Sequence, residues 1–329
     1  MKRFVAVVLL VCMVFALTAC GKTEYKLGMG VSVSTDSSAS GNAQVDATVA
    51  AVVTDASGKI AACRIDCAQS KMDITAGTAD TAKTFLSKVE LGDDYNMVKY
   101  SNATHEWYEQ AAAFEQYCVG KTAADISGMD LRVNEEGYNV TTDETLFASC
   151  SISIDAFIDA VVKACNDSGA ATFTGKDFKL GVACITKSDE STDATADENG
   201  VVKMYTEFGA TAVGADGKIL AAVTDAIQPQ IGYDQAGEIG DITFKGTKRE
   251  LGPDYNMVKF GNAIAEWDAQ AQAFANYCVG KTSAEVRGLE TVVNEEGNQV
   301  TTDETLFASC TMSIGGMMAV LAQAADYAK

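Results

Sequence analysis

The chain repeats itself, and a repeat limits the fold to something that can be built twice. Leu91–Lys99 (LGDDYNMVK) returns as Leu251–Lys259 (LGPDYNMVK), Glu106-Trp107 as Glu266-Trp267, and Tyr117–Thr122 as Tyr277–Thr282. The decapeptide TTDETLFASC occurs unchanged at Thr141–Cys150 and Thr301–Cys310. All of these matches share an offset of 160 residues. Lys26-Leu27-Gly28 matches Lys179-Leu180-Gly181 at a smaller offset, so the first halves differ by short insertions. Between residues 88 and 154 about two positions in three are identical, whereas the first part of each copy has drifted further.

Each copy opens with strand-like material. Val45–Val53 is rich in β-formers and ends at the turn Asp55-Ala56-Ser57-Gly58-Lys59. Ile60–Cys67 follows with alternating faces, which predicts a hairpin, and Ala215-Asp216-Gly217-Lys218 marks the same turn in the second copy. Trp107, Ala111, Phe114 and Cys118 fall on one face of a helical period, as do Trp267, Ala271, Phe274 and Cys278. Thr122 with Asp125, and Thr282 with Glu285, have the spacing of an N-cap and its third-position acid. Each copy closes on an amphipathic helix, with Ile154, Phe157, Ile158, Val161 and Cys165 as the buried stripe of the first. Ile314, Met317, Met318, Leu321 and Ala325 form that of the second. Strands first and helices later predict an α+β domain with an antiparallel sheet, present in two tandem copies. The expected bounds are 21–167 and 178–329, joined by a small, polar linker at 168–177.

Residues 1–20 stand apart. Lys2 and Arg3 precede an apolar run from Phe4 to Leu17, which ends Thr18-Ala19-Cys20-Gly21. The run is too short and too early for a spanning helix and has the form of a signal peptide. Small residues before a cysteine are the substrate of a lipoprotein signal peptidase, which predicts lipidation at Cys20. The mature chain would then be extracytoplasmic and held at the cell membrane by buried acyl chain. Losing Lys2 and Arg3 moves the net charge from −20 to about −22. Such an acidic body repels nucleic acid.

Several motifs reduce to structure. Gly120-Lys121-Thr122 and Gly280-Lys281-Thr282 lack the earlier glycine of a phosphate loop and follow a helix rather than a strand. They are read as a glycine helix stop followed by a new N-cap. His105 is the only histidine and has Ala265 opposite it, so neither a metal site nor a serine-type triad is expected. No catalytic residue is assigned. Without Cys12 and Cys20 eight cysteines remain. Cys118 and Cys150 recur as Cys278 and Cys310, either as a repeated bridge or as small core residues. Cys63 and Cys67 are Ala222 and Ala226 in the second copy; on a strand they share a face roughly 13 Å apart, too far to bond.

The region from 88 to 107 is the candidate ligand site. Asp94, Tyr95, Asn96, Met97, Lys99 and Trp107 recur as Asp254, Tyr255, Asn256, Met257, Lys259 and Trp267. Lys88 and Glu90 recur with them. Their aromatic, amide and charged groups suit a polar pocket wall. They equally suit a loop that wraps the domain and caps the Trp-bearing helix.

The order of parts resembles the FMN-binding domain family of membrane-bound electron-transfer subunits and flavinylated lipoproteins. These parts are a D-x-G-K hairpin, a helix, an Asp-led segment ending in a small residue, and a closing amphipathic helix. The likeness spans roughly 26–167 and 178–329. In that family a flavin transferase joins FMN through phosphate to a hydroxyl in Asp-x-x-(Ser/Thr)-Gly-Ala-Thr. Here the resemblance implies Asp143 with Ser149, and Asp303 with Ser309, as anchors. Leu146 and Leu306 replace the usual hydroxyl residue, and Phe147 and Phe307 the glycine. The implied function is an extracytoplasmic lipoprotein carrying FMN as an electron relay, with a flavin transferase and a redox partner. The alternative is a flavin-free cell-envelope binding module for a small molecule or protein.

Overall fold

The strands bury apolar side chains on both faces, and this dictates the architecture. In the second strand Ala43, Val45, Ala47, Val49, Ala51 and Val53 enter one core while Ala50 and Val52 enter another. A sheet with two apolar faces must be covered twice.

The computed structural model describes residues 23–329; the leader and Cys20 lie outside the described residues. The first repeat begins with β1 (Glu24–Ser34), β2 (Asn42–Asp55), β3 (Ile60–Thr75) and β4 (Thr78–Ala79). Then come α1 (Lys88–Leu91), a 3₁₀ turn (Gly92–Tyr95), α2 (Met97–Tyr100), α3 (Trp107–Cys118) and α4 (Ala123–Ser127). It ends with β5 (Leu131–Val133), β6 (Asn139–Thr141), α5 (Glu144–Phe147) and α6 (Asp155–Cys165). After β7 (Ala171–Thr174) the second repeat runs β8 (Phe178–Lys187), β9 (Gly200–Lys203), β10 (Tyr205–Gly214), β11 (Ile219–Ile227), β12 (Gln230–Tyr233) and β13 (Ile239–Thr243). Its helical half is α7 (Lys248–Leu251), a 3₁₀ turn (Gly252–Tyr255), α8 (Met257–Gly261), α9 (Trp267–Cys278), α10 (Ser283–Arg287), β14 (Thr291–Val293), β15 (Gln299–Thr301), α11 (Glu304–Phe307) and α12 (Gly315–Asp326). The chain is α+β, with antiparallel sheets and two similar sheet-plus-helix halves.

The first sheet has the order β4-β3-β2-β1-β7. The second repeat splits the corresponding surface into β11-β10-β8 and β13-β12-β9. The break falls at Met204 on one strand and Pro229 on the other, and a proline cannot donate to a ladder. The segment expected as a linker, 168–177, contains β7, which pairs antiparallel with β1 (Tyr25↔Phe173, Leu27↔Ala171).

The two repeats share a core. Leu27, Val49 and Met72 of the first sheet pack with Leu180, Phe208 and Val223 of the second. Burying each such side chain contributes about 1.5–3 kcal/mol. β3 crosses β8 while β1 crosses β11, the exchange expected of a pseudo-twofold axis. The outer faces are covered separately, by α3 and α6 in the first repeat and by α9 and α12 in the second. The result is four layers: helices, sheet, sheet, helices.

Close approach of the last helix to the first strand explains the repeated Lys-Leu-Gly. A Cβ on Gly28 would overlap the Ala164 carbonyl, and one on Gly181 would overlap the Ala324 carbonyl. The helix N-caps expected from sequence form: Thr122 accepts from Asp125 N while the Asp125 carboxylate accepts from Thr122 N, and Thr282 with Glu285 does the same. Gly120 and Gly280 end the preceding helices at φ +83°, the left-handed region that glycine enters freely.

Candidate functional site

The recurring 88–107 region is built from caps. Ser87 Oγ accepts from Glu90 N (3.1 Å) and Glu90 Oε2 accepts from Ser87 N (2.8 Å); Thr247 and Glu250 repeat this. Beneath it lies a buried carboxylate. Asp66 Oδ1 accepts from Cys67 N (2.7 Å) and Val89 N (3.1 Å), and Asp225 Oδ1 accepts from Ala226 N (2.8 Å) and Arg249 N (3.0 Å). Burial pushes each carboxyl up to about 6, against hydrogen bonds from Ser87 and Thr247 that hold it down. Asn96 and Asn256 turn the chain at φ +56° and +61°, which asparagine tolerates. The Glu106 carboxylate then accepts from Met97 N (2.8 Å) and Val98 N (3.1 Å), and Glu266 does so at Met257 and Val258.

Inside this wrap sits a buried lysine. Lys88 Nζ lies 4.9 Å from the Tyr95 ring and 5.2 Å from Trp107. Lys248 Nζ lies 4.7 Å from Tyr205, 4.8 Å from Tyr255 and 5.2 Å from Trp267, and donates to Tyr205 Oη at 3.2 Å. Burial pushes Lys248 down to about 8, although Glu207 and Asp225 pull it back. At Lys88 burial acts the same way, but Cys67, Tyr95 and Asp46 face the ammonium and the net direction is upward. The cation–ring contacts thus close the niche from within.

A glutamine that the sequence reading passed over ties the two most repeated segments together. Gln110 is fully buried. Its Oε1 accepts from Ser151 N (2.9 Å) and Ile152 N (3.2 Å), while Nε2 donates to His105 O (2.9 Å). Gln270 does the same with Thr311, Met312 and Ala265. Its signal was present: an amide recurring at offset 160, three residues after Trp107, on an apolar helix face.

The structure therefore brings Tyr95, Met97 and Trp107 together, with Tyr255, Met257 and Trp267 likewise, around a lysine rather than around a void. Asn96 and Asn256 form the turns. Asp94, Lys99, Asp254 and Lys259 are exposed. Lys99 covers Tyr100, which is 77% exposed, and Lys259 covers Phe260. The cavity beside the second niche, lined by Tyr205 and Gln228, holds about 80 Å³.

The residues of the flavin-type motif are occupied as caps. Asp143 Oδ1 accepts from Thr145 N (2.9 Å) and Leu146 N (3.1 Å) at the start of α5; Asp303 accepts from Leu306 N (3.0 Å) and from Tyr277 Oη (2.8 Å). Those bonds hold the Asp303 carboxyl below the usual range. Ser149 and Ser309 donate to the Leu146 and Leu306 carbonyls at 3.2 Å. Leu146 and Leu306 are core anchors, and Phe307 is 46% exposed. With the aspartates spent as caps and an aromatic ring where glycine is needed, these residues do not fit a flavin seat. All eight described cysteines are free, Cys118 and Cys150 among them. Among the described residues no three His, Cys, Asp or Glu side chains converge to hold a metal ion, and no helix is long and apolar enough to cross a membrane.

Two cavities lie between the repeats at pseudo-equivalent places. One, of about 460 Å³, is lined by Lys163, Asp167, Asp225, Arg249, Glu250 and Asp268. The other, of about 830 Å³, has Arg64, Glu90, Tyr108, Glu109, Glu115 and Tyr327 on its walls, with Ile65, Val89, Ala112, Val182, Asp326, Ala328 and Lys329 completing it. Arg64 Nη1 pairs with Glu115 Oε2 at 2.7 Å and its buried Nε has no partner. Tyr327 Oη donates to Glu90 Oε1 at 3.2 Å.

No family model matches the chain, and no curated protein does. Among solved structures, a protein described as exported, with a YmcC-like fold, from Bacteroides fragilis aligns with 69% of this chain and 96% of its own. Its identity is 8% and its TM-score 0.12, too low to carry an argument about fold or function.

Proposed function

We propose that the chain is a cell-envelope binding module, lipid-anchored through Cys20, that takes a small organic cation in the larger cleft between its repeats and carries no flavin. The observation that supports this is the composition of that cleft. Its walls hold Tyr108 and Tyr327 with the carboxylates of Glu90, Glu109, Glu115 and Asp326, against only Arg64 and Lys329. A volume of about 830 Å³ falls in the range of small-molecule sites. Tyrosine faces attract ammonium groups, and a net charge of −20 concentrates cations at the surface.

The test is calorimetric titration of residues 21–329 with a linear polyamine and with a quaternary ammonium salt. Salt-sensitive binding is expected. Replacing Tyr108 and Tyr327 together by alanine should weaken it roughly tenfold, at about 0.5–1 kcal/mol per ring contact. Silence toward both amines would end the proposal. The flavin relay is tested on the same protein made with a flavin transferase and FAD. An added FMN mass that disappears in Ser149→Ala and Ser309→Ala would replace the cation-binding reading with the relay.

A further inference from the structure

The first repeat contains a thiol cluster that the second lacks. Cys63 lies on β3, Cys118 ends α3 and Cys165 ends α6, and all three belong to or pack against the helix–sheet core. Backbone bonds clamp the end of α3 to the start of β3: Gly120 N donates to Ile60 O and Ile60 N donates to Lys121 O, each at 2.8 Å. Cys118 is two residues from the clamp on the helix side and Cys63 three residues from it on the strand side. Both side chains are buried in the same core, where the two thiols are near neighbours and Cys165 lies close by. The second repeat keeps the clamp, through Gly280 N to Ile219 O (2.8 Å) and Ile219 N to Lys281 O (2.9 Å), and keeps Cys278. It has Ala222 in place of Cys63 and Ala325 in place of Cys165.

We propose that Cys63 and Cys118 form a disulfide, in the first repeat only, when the chain folds in the presence of a low-molecular-weight organic disulfide. One cysteine thiolate attacks a sulfur of the reagent and releases one thiolate. The other cysteine attacks the mixed disulfide and releases the second. The two protein thiols lose two protons and two electrons, and the reagent leaves as two thiols. The bond forms during folding because, once the core has closed, the neighbouring Cys118 thiol and burial push the Cys63 thiol upward, which suppresses its thiolate. Cys150 is buried in the same core, yet no clamp brings it to Cys118. The bridge thus differs from the Cys118–Cys150 pairing that the repeat alone leaves open.

The experiment refolds residues 21–329 from denaturant with a mixture of oxidised and reduced glutathione, then alkylates in denaturant and maps the peptides. Six of the eight thiols should be alkylated, with Cys63 and Cys118 recovered in one linked peptide. The oxidised protein should melt at a higher temperature than the reduced one. That difference should vanish in Cys63→Ala, a change the second repeat already carries at Ala222. Alkylation of all eight thiols after oxidative refolding would overturn the proposal, as would a bridge from Cys118 to Cys150 or Cys165.

Discussion

Arg249 of the second repeat grips Asp167 of the first through two parallel hydrogen bonds, Nη1 to Oδ2 and Nη2 to Oδ1, both 2.9 Å long. Asp167 also accepts from Met29 N at 3.1 Å. Beside the pair, Lys163 meets Glu250 at 3.1 Å. At the pseudo-equivalent place Gln323 and Tyr327 donate to Glu90, and among the described residues no ion pair joins the two repeats there: Arg64 pairs with Glu115 within the first repeat. One side of the seam is held by ion pairs across it, and the other by single hydrogen bonds across it, from Gln323 and Tyr327 to the Glu90 carboxylate and from Arg64 Nη2 to the Lys329 carbonyl (2.9 Å).

The Arg249–Asp167 pair is mostly buried, so its loss should be asymmetric. Asp167→Ala leaves a buried guanidinium uncompensated and should cost about 3–5 kcal/mol. Arg249→Ala should cost less, because Asp167 keeps the Met29 and Gly169 amides. Urea unfolding of both variants and of the double variant measures this. A double variant as destabilised as the two single variants summed would show that the residues do not act as a pair.

Gln110→Ala strands the amides of Ser151 and Ile152. Each unsatisfied group should cost about 1–3 kcal/mol. Gln110→Glu keeps the acceptor and should fall between. The same order is expected for Gln270, with equilibrium unfolding as the measurement.

Asp66 and Asp225 impose a pH dependence with a definite sign. Their carboxyls titrate near 6 in the folded chain against an ordinary value of 3.8, so folding favours the protonated form. The stability they contribute is full below about 3.8 and is lost as pH rises through about 6, up to about 3 kcal/mol for each. Asp66→Asn and Asp225→Asn should therefore gain on the parent as pH rises from 4 to 7. A parent-minus-variant difference that stays flat across that range would refute the assignment.

Lys248 works in the opposite window. Its ammonium is held near 8 rather than 10.5, so keeping it charged in the fold costs up to about 3 kcal/mol below pH 8, and the cost fades as pH rises toward 10.5. Lys248→Met fills the same aromatic niche without the ion. It should be more stable than the parent at pH 7, with the gain shrinking toward pH 10, as thermal melts across that range would show.

Some of this was legible from the chain. Trp107, Ala111, Phe114 and Cys118 were placed on one helix face by period alone, and all four are buried. Thr122 and Asp125 announced their capping box because such a cap is satisfied within four residues. The candidate site was legible only as recurrence. Repetition marked Tyr95 and Trp107 but could not distinguish a ligand pocket from an internal lysine niche, since both need the same aromatic residues. Asp143 carries the same letters whether it anchors a cofactor or accepts from Leu146 N.

The sequence by itself determined the duplication, the hairpin turns, the helices and the glycines that let Ala164 and Ala324 come close. These depend on local conformation or on a match that the chain displays against itself. Only the tertiary structure decided that Val49 of one repeat shares a core with Phe208 of the other, that residues 171–174 complete a sheet, and that the clefts lie on the seam. A strand's two apolar faces look alike in sequence. Which face meets a helix and which meets another sheet is settled only when segments some 150 residues apart pack together and bury both.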